Sequence, residues 1–244
     1  MVGLPAHRGR TIGFCCVALG AAVMLAAGTA QARPSLDGER LDQLDRYEVL
    51  SFSDAYKNGI DRGKAIGVID ATSDEVFRVV TDFARYKEFV PRISESSLTA
   101  RTDDGAQVAL TADLPWPAGR SWIEADYHFE HLAGDIYRAR FEMRRGSMRQ
   151  YLGSVYIEPW TNGRGKAQTA ITYEFTAEPG IYAPKSLLNK SLRRSAASFV
   201  HALRQRINEL HRVGLLHPNA PALASATKPA NIIRPAPSTL KAHR

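Results

Sequence analysis

The sequence predicts an α+β fold in which a curved antiparallel sheet wraps around a long C-terminal helix, with two short helices after the first core strand. Three observations carry that expectation. Between residues 93 and 175 apolar and polar residues largely alternate, and turn signals recur at short intervals. Beyond Gly180 the period lengthens: Leu188, Leu192, Ala196, Phe199, Leu203, Ile207 and Leu210 recur at spacings of four and three, one apolar stripe on a helix. Earlier in the chain, Thr72 with Glu75 three residues on forms a capping-box pattern, opening a short helix that carries Val76, Phe77, Val79 and Val80.

The elements follow in order. Residues 1–32 read as an export signal: Arg8 and Arg10 precede an uncharged apolar run, and Ala30-Gln31-Ala32 offers small residues for cleavage before Arg33. The competing reading is an uncleaved anchor, since the uncharged run of residues 11–32 nearly spans a bilayer. The expected location is therefore the periplasm or the exterior. Residues 33–46 form a lead-in with one helical turn near residues 41–45. Residues 47–52 and 64–70 suit strands. After the capped helix, Asp82 is placed to cap a second short helix over residues 83–89, which Pro91 stops because its ring disfavours a helical residue before it.

The sheet's turns fall at Asp104-Gly105, Gly134-Asp135, Gly146-Ser147 and Asn162-Gly163. Ile123, Ala125, Tyr127 and Phe129 share one strand face, opposite Glu124, Asp126, His128 and Glu130. Tyr137, Ala139, Phe141 and Met143 do the same, as do Thr169, Ile171, Tyr173 and Phe175. An antiparallel meander with one face in the core and one in water has this pattern. Residues 151–157 alternate less cleanly, and their inner face stays unassigned. Pro184 suits the first turn of the last helix and Gly214 its end. Residues 214–244, rich in Ala and Pro, read as a disordered basic tail with possible transient contact with an anionic envelope surface.

Composition removes several function classes. The formal charge of +7 rests largely on Arg8, Arg10, Lys228, Arg234, Lys241 and Arg244, outside the folded body, which is close to neutral without them. No basic face for nucleic acid is expected. Both cysteines, Cys15 and Cys16, lie in the leader, so a cleaved chain has no thiolate ligand, disulfide or cysteine nucleophile. His128 and His131 point to opposite faces of a strand, and His201 and His211 are too far apart on one helix to share a metal. Gly163-Arg164-Gly165-Lys166 lacks the spacing of a phosphate loop and reads as a hairpin turn. Glu124 and Asp126 share a polar strand face and read as solvated carboxylates. No catalytic constellation, cofactor or metal is assigned.

A single meander must be covered by something, and the C-terminal stripe is the long apolar surface available. A bent sheet around one helix leaves space where the sheet curves away. The expected lining of that cavity is Ile123, Tyr127, Phe129, Tyr137, Phe141, Tyr173 and Phe175 from the strands and Leu192, Phe199 and Leu203 from the helix. Tyrosines there offer an apolar body and a hydroxyl handle. Arg120 at the rim is a candidate to hold a carboxylate or phosphate through its planar fork, and Trp116, between two prolines, is a candidate lid.

Val68-Ile69-Asp70-Ala71, Glu75-Val76-Phe77, Thr81-Asp82-Phe83, Tyr86 and Phe89-Val90-Pro91 resemble the opening signature of the START-like superfamily, also described as polyketide-cyclase or ubiquinone-binding-protein-like (SRPBCC) domains. Asp113-Leu114-Pro115-Trp116-Pro117 resembles a mid-sheet motif of its exported bacterial members, and the helix over residues 184–210 resembles their closing helix. The resemblance covers residues 47–213; it departs at Thr72-Ser73, where the family often carries prolines. It implies a helix-grip fold with a deep apolar pocket and brings no universal catalytic motif. The function expected is non-enzymatic binding or transport of a lipid, quinone or isoprenoid-like molecule. A cyclase or dehydratase using the same pocket, with Tyr127 and Arg120 orienting an enolate, is the alternative.

Overall fold

The computed structural model describes residues 36–57, 59–114 and 119–216. The leader, Trp116 with its flanking prolines, and the tail from residue 217 lie outside them. The chain runs through α1 (Gly38–Asp45), β1 (Leu50–Ala55), β2 (Asp61–Ile69), α2 (Ser73–Val80), a 3-10 turn (Phe83–Arg85) and α3 (Tyr86–Phe89). Six strands follow: β3 (Ile93–Thr102), β4 (Gly105–Asp113), β5 (Arg120–Leu132), β6 (Ile136–Gly146), β7 (Met148–Thr161) and β8 (Ala167–Pro179). α4 (Lys185–Arg212) closes the fold. The strands form one antiparallel sheet in the order β1-β2-β8-β7-β6-β5-β4-β3. β3 to β8 are the expected meander; the first hairpin, β1–β2, docks on the last strand, β8. The architecture is the expected α+β helix-grip fold, an antiparallel sheet around a long C-terminal helix.

Local chemistry sets the element ends. Thr72 and Glu75 form the full capping box of α2: the Thr72 hydroxyl accepts from the Glu75 backbone, and the Glu75 carboxylate accepts from the Thr72 backbone at 2.8 Å. Asp82 departs from expectation. It makes no cap, the backbone tightens into a 3-10 turn, and the Asp82 carboxylate pairs with Arg85 at 3.0 Å instead. Pro184 stands just before α4 as its N-cap residue. Gly214, at φ 70°, ends the helix in a left-handed conformation that costs glycine little, and Leu215 N–H donates back to the Leu210 carbonyl at 2.9 Å.

The sheet departs from a plain meander in one respect: its far side is not all in water. β2 is buried on both faces. Ala65 and Ile69 join the main core under α4, whereas Ile66 and Val68 form a second cluster with Leu44 of α1, Leu50 and the half-buried Phe52 and Trp160. The lead-in is thus a capped two-turn helix, with the Asp37 carboxylate accepting from the Arg40 backbone. Outward residues of β8 are buried too. Gln168 donates to the Tyr47 hydroxyl, and Glu174 faces Arg62, Lys64 and Ser154. On β5 and β6 the outward faces do meet solvent, where Glu124 pairs with Arg145, Asp126 with Arg144, and Glu130 with Arg138 and Arg140.

α4 lies closest to one side of the sheet, with its contacts concentrated on β2, β8 and β1. Two glycines permit that approach. A Cβ at Gly63 would stand 2.6 Å from the Leu192 carbonyl carbon, and one at Gly67 would stand 2.6 Å from a Val200 methyl. Replacing Gly63 by Ala sets a methyl group against helix backbone, which cannot rotate away. We expect Gly63→Ala to lose about 1–3 kcal/mol in urea denaturation. Gly38→Ala, where a Cβ meets nothing within 4 Å, should change stability by less than about 0.5 kcal/mol.

Candidate ligand-binding site

α4 is held differently along its length. Towards its C-terminal end, Leu203, Ile207 and Leu210 are buried in the continuous core. Towards its N-terminal end the helix bridges a hollow. Leu187, Leu188, Ser191, Leu192, Ser195, Ser198 and Phe199 face a cavity of about 450 Å³. Its opposite wall comes from β4 to β8 through Leu110, Tyr127, Phe141, Tyr151, Val155, Tyr173 and Phe175, and Tyr86 with residues 90–93 closes a third side. That volume is within the range of sites for drug-sized small molecules.

The wall is largely a stack of rings. Tyr127 lies 5.2 Å from Phe141, Phe141 lies 5.0 Å from Tyr151, and Tyr173 lies 5.2 Å from Phe175 and 4.4 Å from Phe199. Such offset and tilted arrangements are favourable beyond the area they bury. The Tyr86 hydroxyl donates to the Val80 carbonyl, and the hydroxyls of Tyr127, Tyr151 and Tyr173 stand near enough to influence one another electrostatically. Burial pushes the phenols of Tyr86, Tyr127 and Tyr173 well above their ordinary value, and that of Tyr151 also upward. All four are neutral at physiological pH. With the phenols neutral, an apolar chain can lie against these rings without meeting a buried charge.

The structure brings together Tyr127, Phe141, Tyr173, Phe175, Leu192 and Phe199 as lining residues. It sets others apart. Phe129 and Tyr137 are directed inward as expected, but α2 covers their end of the sheet: Phe77 packs on them at 5.6 and 4.7 Å, and His131 stacks on Tyr137 at 4.4 Å. Leu203 is fully buried in the solid part of the core, and Ile123 is buried without lining the cavity. Arg120 is the clearest departure. It shares strand parity with Glu124 and Asp126, so it stands on the solvent side of β5 and pairs with Glu95. The alternation that places Ile123 and Tyr127 inward already excludes residue 120 from the same face. Trp116 lies outside the described residues.

Several lining residues escaped the sequence reading. Tyr151 sits on the strand whose inner face was ambiguous; Gly153 between Tyr151 and Val155 breaks the apolar alternation there. Ser191, Ser195 and Ser198 line the cavity although no apolar stripe includes them. So do Arg92, Lys190 and Arg194, the cations of the lining, with which no carboxylate side chain lines the cavity. The described residues hold no cluster of three or more His, Cys, Asp or Glu arranged to bind a metal.

A sheet gripping one long helix around a hollow is the helix-grip architecture of START-like proteins. The family's sequence pattern matches residues 69–204, and the chain belongs to the polyketide cyclase / dehydrase and lipid transport family. Its fold is similar to that of a STAR-related lipid transfer protein from Xanthomonas axonopodis, with TM-score 0.58 and 18% identity over 66% of this chain and 93% of that one. It is also similar to human STARD10, with TM-score 0.56 and 14% identity over 77% and 84% of the two chains. Human StAR-related lipid transfer protein 5 gives TM-score 0.52 and 12% identity over 71% and 93%. No curated protein matches the sequence significantly.

The raised phenols have a consequence for stability. Their folded pKa values lie above the unfolded value of about 10, so the folded chain holds these protons more tightly. That contribution is fully present below pH 10 and is lost as pH rises through the folded values. Urea denaturation should therefore show stability falling once the pH passes about 10. In Tyr173→Phe, which removes one of the titrating groups, the fall should be shallower.

Proposed function

We propose that this protein binds a single hydrophobic small molecule, a lipid, quinone or isoprenoid-like compound, in the cavity between α4 and the sheet, and carries or senses it without chemical turnover. The observation that supports this best is the 450 Å³ hollow, walled largely by aromatic rings whose phenols are held neutral by burial. Transfer of an apolar molecule into such a space is driven by the surface it removes from water. The cyclase alternative loses one of its two named groups, because Arg120 is paired with Glu95 on the solvent face.

Binding should appear as thermal stabilisation. A ligand from a panel of single-chain lipids, quinones and isoprenoids, present at about 100 times its dissociation constant, should stabilise the fold by roughly 2.7 kcal/mol. Ser195→Phe, which fills the cavity from α4, should keep the fold and abolish that shift. A panel that leaves the melting temperature of the unaltered protein unchanged would oppose the proposal.

We further propose that the protein acts outside the cytoplasm. Support comes from the Arg8 and Arg10 start, the apolar run and Ala30-Gln31-Ala32. Terminal sequencing of protein made in a bacterial host should read from Arg33, and an intact leader on the mature protein would contradict it.

A further inference from the structure

We infer that the cavity's ligand is an anionic amphiphile whose carboxylate or phosphate head is held at the mouth by Arg92, Lys190 and Arg194; this rests on the cavity-binding function proposed above. All three residues line the cavity, and all three are solvent-exposed, so the hollow passes from apolar wall to cationic rim. Among the described residues none of them forms an ion pair. By contrast, Arg138, Arg140, Arg144 and Arg145 of β6 each meet a carboxylate on β5. Asp113 meets Arg92 only through its backbone N–H, which donates to the Arg92 carbonyl at 2.8 Å.

Two further features are costly without an anion. Lys190 and Arg194 are four residues apart on α4, where like charges repel across one turn. Ser191 and Ser195 sit beside them at the same spacing and add two hydroxyl donors to the lining. Arg92 is held at φ 68°, a left-handed conformation unfavourable for a long side chain and free for glycine. Strain retained at a ligand rim is a mark of use. A guanidinium there presents a planar fork to two oxygens of a carboxylate or phosphate. An uncharged lipid would fill the apolar part of the cavity and leave the cations without a partner.

The test compares four probes with one twelve-carbon chain: dodecanoate, dodecyl phosphate, dodecan-1-ol and dodecyltrimethylammonium, titrated calorimetrically below their micelle concentrations. At least one anion should bind about tenfold more tightly than the alcohol, with the ammonium weakest, and the stronger of carboxylate and phosphate identifies the head group. The triple variant Arg92→Gly, Lys190→Gln, Arg194→Gln should bind the alcohol unchanged and lose the preference to within about twofold. Arg92→Gly alone separates binding from folding. It should raise the melting temperature, because glycine adopts φ 68° without strain, while weakening the anion. Equal affinity of alcohol and anions in the unaltered protein would overturn the anionic head and leave apolar binding standing. Failure of every probe, alcohol included, together with an unchanged melting temperature across the wider panel, would overturn the cavity-binding function itself.

Discussion

The close approach of α4 to β2 governs the rest of this structure. Gly63 and Gly67 present bare backbone to the helix, so α4 settles on β2, β8 and β1 and not on the middle of the sheet. A helix held against one side of a curved surface cannot also touch its far wall. The C-terminal end of α4 escapes this geometry because α2 and the rings of Phe77, Phe129 and Tyr137 fill the gap. Among the described residues nothing comparable lies under the N-terminal half, and the hollow there is the result. Close packing elsewhere makes such a void expensive unless something fills it.

The two faces of the sheet divide the polar work. Outward carboxylates and arginines on β5 and β6 neutralise one another, and the convex side of β2 and β8 is sealed by α1, Tyr47 and Trp160. On the concave side the polar groups form two layers. The deep layer, Tyr127, Tyr151 and Tyr173, is neutral. The outer layer, Arg92, Lys190 and Arg194, is charged and open to the cavity. The cavity thus runs from an inner aromatic wall to an outer rim that carries charge.

Much of this was legible from periodicity. The alternation from residue 93 to 175 located the strands and their inward residues, and the four-three spacing of Leu192, Phe199, Leu203 and Ile207 located the helix and its buried face. Hairpin turns at Gly134-Asp135 and Asn162-Gly163 fell where their residue types require. What periodicity cannot report is which inward residues meet a void and which meet another element. Phe129 and Phe141 read alike along their strands, yet α2 covers one and the cavity exposes the other. The cationic rim was hidden for a related reason. Lys190 and Arg194 look like the solvated side of an amphipathic helix, and Arg92 looks like a loop residue after Pro91. Only tertiary placement brings the three to one mouth.

Native mass spectrometry of protein purified without detergent reads whether the space beneath the first half of α4 is occupied. A resolved population heavier by the mass of one small apolar molecule is expected, absent from Ser195→Phe. A protein that carries no such mass and takes up none when exposed to a total lipid extract would contradict ligand binding there.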